Sequence, residues 1–69
     1  MYDTSFNLTN IEIQILQLAA EGMDNVEIAN KLFISRHTVK AHLTSAYRKL
    51  NANNRANAVY VAMKHQYIN

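Results

Sequence analysis

Polar side chains able to contact nucleic acid recur every four residues between positions 36 and 48. They are Arg36, Lys40, Thr44 and Arg48. Residues four apart lie almost above one another on a helix, so these side chains would share one face. The opposite face would carry the apolar residues Val39, Leu43, Ala46 and Leu50. A helix that is cationic on one side and apolar on the other is suited to the major groove of duplex DNA.

The residues of this predicted helix divide by the contact that each could make. Lys40 can donate to guanine O6 and N7, Ala41 can touch a thymine methyl group, and Thr44 can donate or accept. We add His37 to this base-reading set. Phosphate contacts, which set the register without reading sequence, are predicted for Asn25, Ser35, Arg36, Thr38, His42, Arg48 and Lys49. The alternative for Lys40 is an ordinary solvated lysine on a helix surface.

A second helix just upstream must hold the first in place. Asp24 and Glu27 have the spacing of a capping box, which marks a helix start. Ser35 and Thr38 open the next helix in a looser version of the same way. Only a tight turn fits between the two, so the helices must cross steeply, as in a helix-turn-helix. A residue near Phe33 would need a positive φ in that turn, which a bulky side chain disfavours. We therefore expect Phe33 to pack well enough to offset the strain, or the turn to avoid that conformation.

The remaining signals predict an all-α fold, a four-helix bundle containing the helix-turn-helix. Thr9 and Glu12 form a capping box for a first helix that Gly22 ends. The second helix should span about 25–32, and the third should end near Asn51. Asn54 should cap a last helix over 55–67. We expect a flexible N-terminal arm over 1–7 (with Tyr2 or Phe6 free to tuck against the core) and one domain over 8–69.

The last helix carries more apolar surface than a small core needs. Its excess apolar residues are Tyr60, Val61, Met63 and Tyr67, and Lys64 completes the predicted interface. An apolar face that is too wide is typical of a helix with a partner. We predict a homodimer through this helix, presenting two reading helices to half-sites about one helical turn apart. The alternative is a generously packed core helix with tyrosines at its rim.

Charge is segregated along the 69 residues. All five acidic residues precede position 28, and all seven lysines and arginines follow position 30, which gives the net charge of +2. Such a split favours a cationic face for a polyanion and a remote acidic face. The first helix has no basic residue, so we expect its acidic outer surface to face away from DNA or toward a protein such as RNA polymerase.

Other functional classes lack their residues in this sequence. There is no cysteine, and His37 and His42 are five apart rather than the four that places two ligands on one helical face. We therefore predict no metal site, no cofactor and no small-molecule ligand. A phosphate-binding glycine loop, a thiol nucleophile and an acid–base pair are also missing, so we do not expect an enzyme. No apolar run reaches the ~18 residues of a membrane span, and we expect a cytoplasmic protein without membrane contact.

The chain resembles the LuxR/GerE-type DNA-binding domain of bacterial transcription regulators from Leu8 onward. The matching residues are Leu8-Thr9, Glu12, Leu16, Gly22, Asn25, Glu27-Ile28-Ala29, Leu32, Ile34-Ser35, Thr38-Val39-Lys40, His42, Lys49-Leu50, Asn54-Arg55 and Ala58. The resemblance implies a four-helix fold, major-groove contacts around Lys40, Ala41 and Thr44, and dimerisation through the last helix. Full-length members usually carry a receiver or ligand-sensing domain in front, so this chain resembles the stand-alone GerE kind or an excised fragment.

Some positions depart from the family pattern. Asn10 and Ile11 stand where proline and arginine are usual, and Val26 replaces a common polar or basic residue, which could delete a phosphate contact. Thr44 stands where members vary, so a target sequence does not transfer. Two alternatives follow: a domain like the C-terminal promoter reader of sigma factors, and a protein-interaction module that disables a related regulator. The helix after Asn54 favours the LuxR type over the first alternative.

Overall fold

Each helix begins at a polar side chain that accepts a hydrogen bond from the backbone of its first turn. The structure, a computed structural model, describes residues 6–69, which form four α helices and no strand. They are α1 (Asn10–Ala20), α2 (Asn25–Leu32), α3 (Arg36–Leu50) and α4 (Arg55–Lys64). The predicted all-α class and the order of four helices are confirmed. The part of the predicted arm at 1–5 lies outside the described residues.

Both predicted capping boxes are present. Thr9 Oγ1 accepts from the Glu12 amide at 3.2 Å, and Glu12 Oε1 accepts from the Thr9 amide at 2.8 Å. Asp24 Oδ1 and Glu27 Oε1 exchange the equivalent bonds at 2.9 and 3.0 Å. These reciprocal bonds satisfy amides that the first turn of a helix leaves without partners. The starts of α1 and α2 are therefore determined by local sequence.

Single side-chain caps begin the other two helices, also as predicted. Ser35 Oγ accepts from the Thr38 amide at 3.0 Å, and Asn54 Oδ1 accepts from the Asn57 amide at 2.8 Å. Gly22 follows α1 with φ +96°, a conformation in which any Cβ would be strained. The predicted bounds of α2 and the predicted end of α3 are confirmed.

The turn between α2 and α3 contradicts the expectation for Phe33. Its φ of 59° and ψ of 41° lie in the left-handed region, so the turn does adopt the disfavoured conformation. Its side chain is 94% exposed, so packing does not offset the strain. The turn is imposed by its neighbours instead: the Ile34 amide donates to the Ala29 carbonyl at 3.0 Å, and Ile34 packs on the core.

Replacing Phe33 with glycine should raise the free energy of unfolding by roughly 1 kcal/mol. The left-handed conformation costs an L side chain about 1–2 kcal/mol. The extra freedom of glycine in the unfolded chain offsets part of the gain from removing that cost. Urea unfolding measures the change. Asn51→Gly is the matched control, because Asn51 has nearly the same conformation (φ 55°) and asparagine tolerates it better. A loss of stability in Phe33→Gly would show that the exposed ring contributes to packing.

The core lies where α3 meets the other three helices. Ile15, Leu16, Ile28 and Val39 are fully buried at its centre. Ala58 and Ala62 are also fully buried, and their small side chains let α4 approach α1 and α3 closely. The apolar face predicted for α3 is confirmed, because its four members are all buried.

The C-terminus corrects the predicted length of the last helix. It ends at Lys64, not at residue 67, because Gln66 turns left-handed (φ 65°) and the Tyr67 amide bonds back to the Ala62 carbonyl at 2.9 Å. This reversal places Tyr67 and Ile68 in the core, 7% and 5% exposed. The Phe6 amide donates to the Tyr67 hydroxyl at 3.4 Å.

Phe6 packs against the core although it belongs to the predicted arm. Its ring meets the His65 ring edge-on, with centroids 4.8 Å apart. Of the two residues that we allowed to tuck against the core, Phe6 therefore does so, and Tyr2 lies outside the described residues. The boundary at residue 8 stays a prediction.

Candidate nucleic-acid interface

The exposed side of α3 forms one continuous row. Its exposed members are Arg36, His37, Lys40, Ala41, Thr44 and Arg48. The row includes all four residues predicted to read bases. Because the opposite side of α3 is buried against three helices, the row is held rigidly on the outside of the molecule.

Three predicted phosphate contacts near the start of α3 are hydrogen-bonded within the protein or half-buried. The hydroxyls of Ser35 and Thr38 are 2.8 Å apart and hydrogen-bonded to each other, while Ser35 also caps the helix. Thr38 and His42 are half-buried. These three predicted phosphate contacts thus lie beside the exposed row, and the hydroxyl pair is already part of the helix cap.

An open groove of about 800 Å³ adjoins this row. Arg36, His37 and Lys40 from the first turns of α3 form one part of its lining, and the loop before α2 and the first residues of α2 form another. Arg55, the first residue of α4, also lines it. One carboxylate is present, that of Asp24, and its Oδ1 accepts from the Glu27 amide. The groove is therefore dominated by cationic donors.

Asn25 lies in this groove with its side chain tied to α4. Its Oδ1 accepts a hydrogen bond from Arg55 Nη1 at 3.0 Å, and Arg55 Nη2 donates to the Met23 carbonyl. Asn25 and Arg55 are both half-buried. The predicted contact set omitted Arg55, because its position at the start of a helix remote in sequence gave no sign that it approaches α2.

Lys49 corrects the predicted set. Its ammonium is 2.8 Å from Glu12 Oε1, and its side chain is 24% exposed. The pair is directed toward α1 and away from the exposed row, so Lys49 serves the packing of α3 on α1 and we withdraw it as a phosphate contact. Glu12 itself is 3% exposed, so the acidic outer surface expected for the first helix does not include it.

Burial alone would raise the pKa of Glu12, but other interactions reverse the effect. Hydrogen bonds from Lys49, from the Thr9 amide and from Ser45 stabilise the carboxylate, and the Lys49 charge adds to them. The net result holds the pKa of Glu12 below its ordinary value. Glu12 is therefore ionised at neutral pH and acts as a buried anchor for α3.

The residues predicted for a dimer interface separate into two groups. Tyr60 and Met63 are 61% and 44% exposed, and Lys64 is also exposed. Val61 is half-buried and packs on the core, while Tyr67 is buried inside it. Tyr67 is thus wrongly assigned, because the chain reversal at Gln66 turns it inward.

Among residues 6–69, no three His, Cys, Asp or Glu side chains lie close enough together to hold a metal ion. None of the helices in this range is long and apolar enough to cross a membrane.

The sequence profile described as "Bacterial regulatory proteins, luxR family" matches residues 6–62. The chain belongs to this family. It is thus a helix-turn-helix domain of the DNA-binding, transcription-regulating kind, and the sigma-factor alternative is set aside. The transcriptional regulatory protein LiaR of Bacillus subtilis (strain 168) is 41% identical to it over 63 residues, which are 91% of this chain and 30% of LiaR.

Two solved structures share the fold of this LuxR-family domain. The response regulator ChrA of a heme-sensing two-component system superposes with a TM-score of 0.86 at 44% identity, covering 88% of this chain and 30% of ChrA. The transcription factor GerE superposes with a TM-score of 0.86 at 27% identity, covering 90% of this chain and 92% of GerE. The domain thus spans about a third of the length of LiaR and of ChrA but nearly all of GerE.

Proposed function

We propose that this LuxR-family domain binds specific DNA sequences for a transcriptional regulator by inserting α3 into the major groove. The observation that carries the proposal is the unbroken exposed row from Arg36 to Arg48, which adjoins the cationic groove. The helix has 15 residues, or roughly 22 Å. A helix of this length can place its first turns against base edges while its last turn stays beside the DNA backbone.

Position along the row supports the roles that we propose for its residues. Lys40, Ala41 and Thr44 occupy the central exposed surface of α3, and His37 lies one turn nearer its start; these four would contact base edges. Arg36 and Arg48 stand at the two ends of the row, where the walls of the DNA major groove would bring phosphates. The remaining phosphate contacts proposed are Asn25, Ser35, Thr38 and His42.

We propose further that the domain binds as a homodimer through α4. Tyr60 and Met63 expose apolar surface on this helix, and Lys64 is exposed on the same helix. Val61 is half-buried and would contribute only its exposed part. A two-fold pair would present two copies of α3 to half-sites about 34–36 Å apart.

A salt titration tests DNA binding. The two arginines assigned to phosphates, Arg36 and Arg48, give about four charged contacts in a homodimer. Affinity for duplex DNA should then fall roughly 100-fold between 50 and 200 mM salt, because each charged contact releases about 0.9 counterion. Fluorescence anisotropy with a randomised duplex and with a selected site measures this slope. Absence of duplex binding at 50 mM salt would instead favour the protein-interaction module, for which the 45% exposed Val26 on α2 is a contact candidate.

The same complexes test the dimer. Sedimentation of the protein on a selected site should give two protomers per duplex, and selection from random duplexes should give inverted repeats. One protomer per duplex, with a single unrepeated half-site, would contradict pairing through α4.

A further inference from the structure

The guanidinium of Arg55 joins the start of α4 to the start of α2. It donates from Nη1 to Asn25 Oδ1 at 3.0 Å and from Nη2 to the Met23 carbonyl. Both acceptors line the groove beside α3. Arg55 therefore spans 30 residues of sequence to hold a polar side chain at the surface that we propose for DNA.

The chemistry of this contact determines the orientation of the Asn25 amide. An arginine side chain has donors only, so the Asn25 atom that faces Arg55 must be its oxygen. The NH₂ group of the same planar amide must then point away from Arg55. Arg55 thus converts a side chain able to donate or accept into one that offers its donor to other partners.

The groove around Asn25 favours an acceptor-rich anion. Arg36 and Lys40 line it from α3, and each carries donors alone at its charged end. The Asp24 carboxylate is occupied in part by its capping bond to the Glu27 amide. A backbone phosphate passing along the groove would meet Arg36 and Lys40 from α3 and the Asn25 NH₂ from α2.

We propose that Arg55 is a positioning residue for DNA binding: it fixes the amide of Asn25 so that its NH₂ group donates to a phosphate in this groove. The inference rests on the DNA-binding function proposed above. Arg55 also ties this contact to α4, the helix proposed for dimerisation. The position of α4 and the binding of phosphate by Asn25 on α2 are then coupled through the side chain of Arg55.

A double-mutant cycle tests the proposal by measuring duplex affinity for the wild type, Asn25→Ala, Arg55→Lys and the double variant. Loss of a charge-assisted hydrogen bond should weaken Asn25→Ala roughly tenfold or more. Arg55→Lys keeps the charge but loses the planar fork that grips two acceptors, so it should weaken binding by a similar factor. The double variant should be no weaker than Asn25→Ala alone, because both changes remove the same contact.

Arg48→Lys is the matched control, since it makes the same exchange at an exposed cation on α3. Its effect on affinity should multiply with that of Asn25→Ala, because the two residues share no contact. If the losses of duplex affinity in Arg55→Lys and Asn25→Ala multiplied in the double variant, the proposal would be overturned. Arg55 would then act through its own charge or through folding. A wild type without affinity for any duplex would overturn the proposed function itself, which distinguishes the two failures.

Asn25→Asp separates binding from folding. The carboxylate keeps an acceptor for Arg55, so the midpoint of thermal unfolding should be equal to or above that of the wild type. Affinity for DNA should nevertheless fall more than in Asn25→Ala, because a charge that repels phosphate replaces the donor. Wild-type affinity in Asn25→Asp would overturn the proposal even if Arg55→Lys does not fold.

Discussion

Replacing Glu12 with glutamine should lower the free energy of unfolding by about 3 kcal/mol, a value at the low end for breaking a buried ion pair. The Glu12 side chain is 3% exposed and holds the Lys49 ammonium at 2.8 Å. Glutamine has nearly the same shape but leaves that ammonium without a counter-charge. The partial exposure of Lys49, 24%, lets water offset some of the loss. Urea unfolding at neutral pH measures the difference.

Glu27→Gln is a matched control for this experiment. Glu27 occupies the same capping-box position in α2, and its Oε1 accepts from the Asp24 amide at 3.0 Å. It is exposed, however, and among residues 6–69 the ion pair to a lysine is that of Glu12. Its replacement should change stability by less than about 1 kcal/mol, the typical scale of a cap. Equal effects of the two substitutions would mean that capping, and not the Lys49 pair, explains the role of Glu12.

The lowered pKa of Glu12 also predicts how stability depends on pH. Because the pKa is lower in the folded protein than its ordinary value of 4.5, the folded state binds this proton less readily than the unfolded chain does. The contribution of Glu12 is then fully present above pH 4.5 and is lost as the pH falls through the folded value. The wild type and Glu12→Gln should therefore converge in stability under acid. A difference in unfolding free energy between the two proteins that stayed constant as the pH fell into the acid range would contradict the role assigned to Glu12.

Replacing Lys40 with alanine should weaken binding to a selected DNA site by about 1–3 kcal/mol, the typical loss when a base contact is removed. Lys40 lies in the exposed row of α3 and also lines the cationic groove, so its ammonium has access to both base edges and backbone. Binding to random duplexes should fall much less, because base contacts contribute only where the sequence fits. Anisotropy titrations on both duplexes at one salt concentration measure the ratio.

Arg48→Ala gives the contrasting result. Arg48 is exposed in the last turn of α3, at the far end of the row from Arg36. Its loss should weaken binding to all sequences alike and reduce the salt slope by about 1 for each protomer bound. If Lys40→Ala and Arg48→Ala weakened specific and random duplexes by equal factors, the separation of base and phosphate roles along α3 would be wrong.

Local sequence predicted the helix starts because each depends on residues three positions apart. The capping pairs Thr9–Glu12 and Asp24–Glu27 form within a single turn, whatever the rest of the chain does. The buried and exposed faces of α3 follow from its helical period, so they were predicted as well. Residues that depend on distant partners were not. Lys49 was misassigned because its anion lies 37 residues away in α1, and Arg55 was missed because its acceptors lie at the start of α2 and in the loop before it.

The sequence by itself determined that residues 6–69 form four helices, where most of them begin and end, and that α3 has one apolar and one cationic side. These properties arise from interactions within a few residues, and the LuxR-family match agrees with them. Tertiary structure alone decided which charges are available. It buried Glu12 against Lys49, returned Tyr67 to the core and fixed Asn25 through Arg55. The Glu12–Lys49 and Asn25–Arg55 contacts depend on how helices remote in sequence meet, and the burial of Tyr67 depends on the chain reversal after α4. The spacing of residues along one helix carries no information about either.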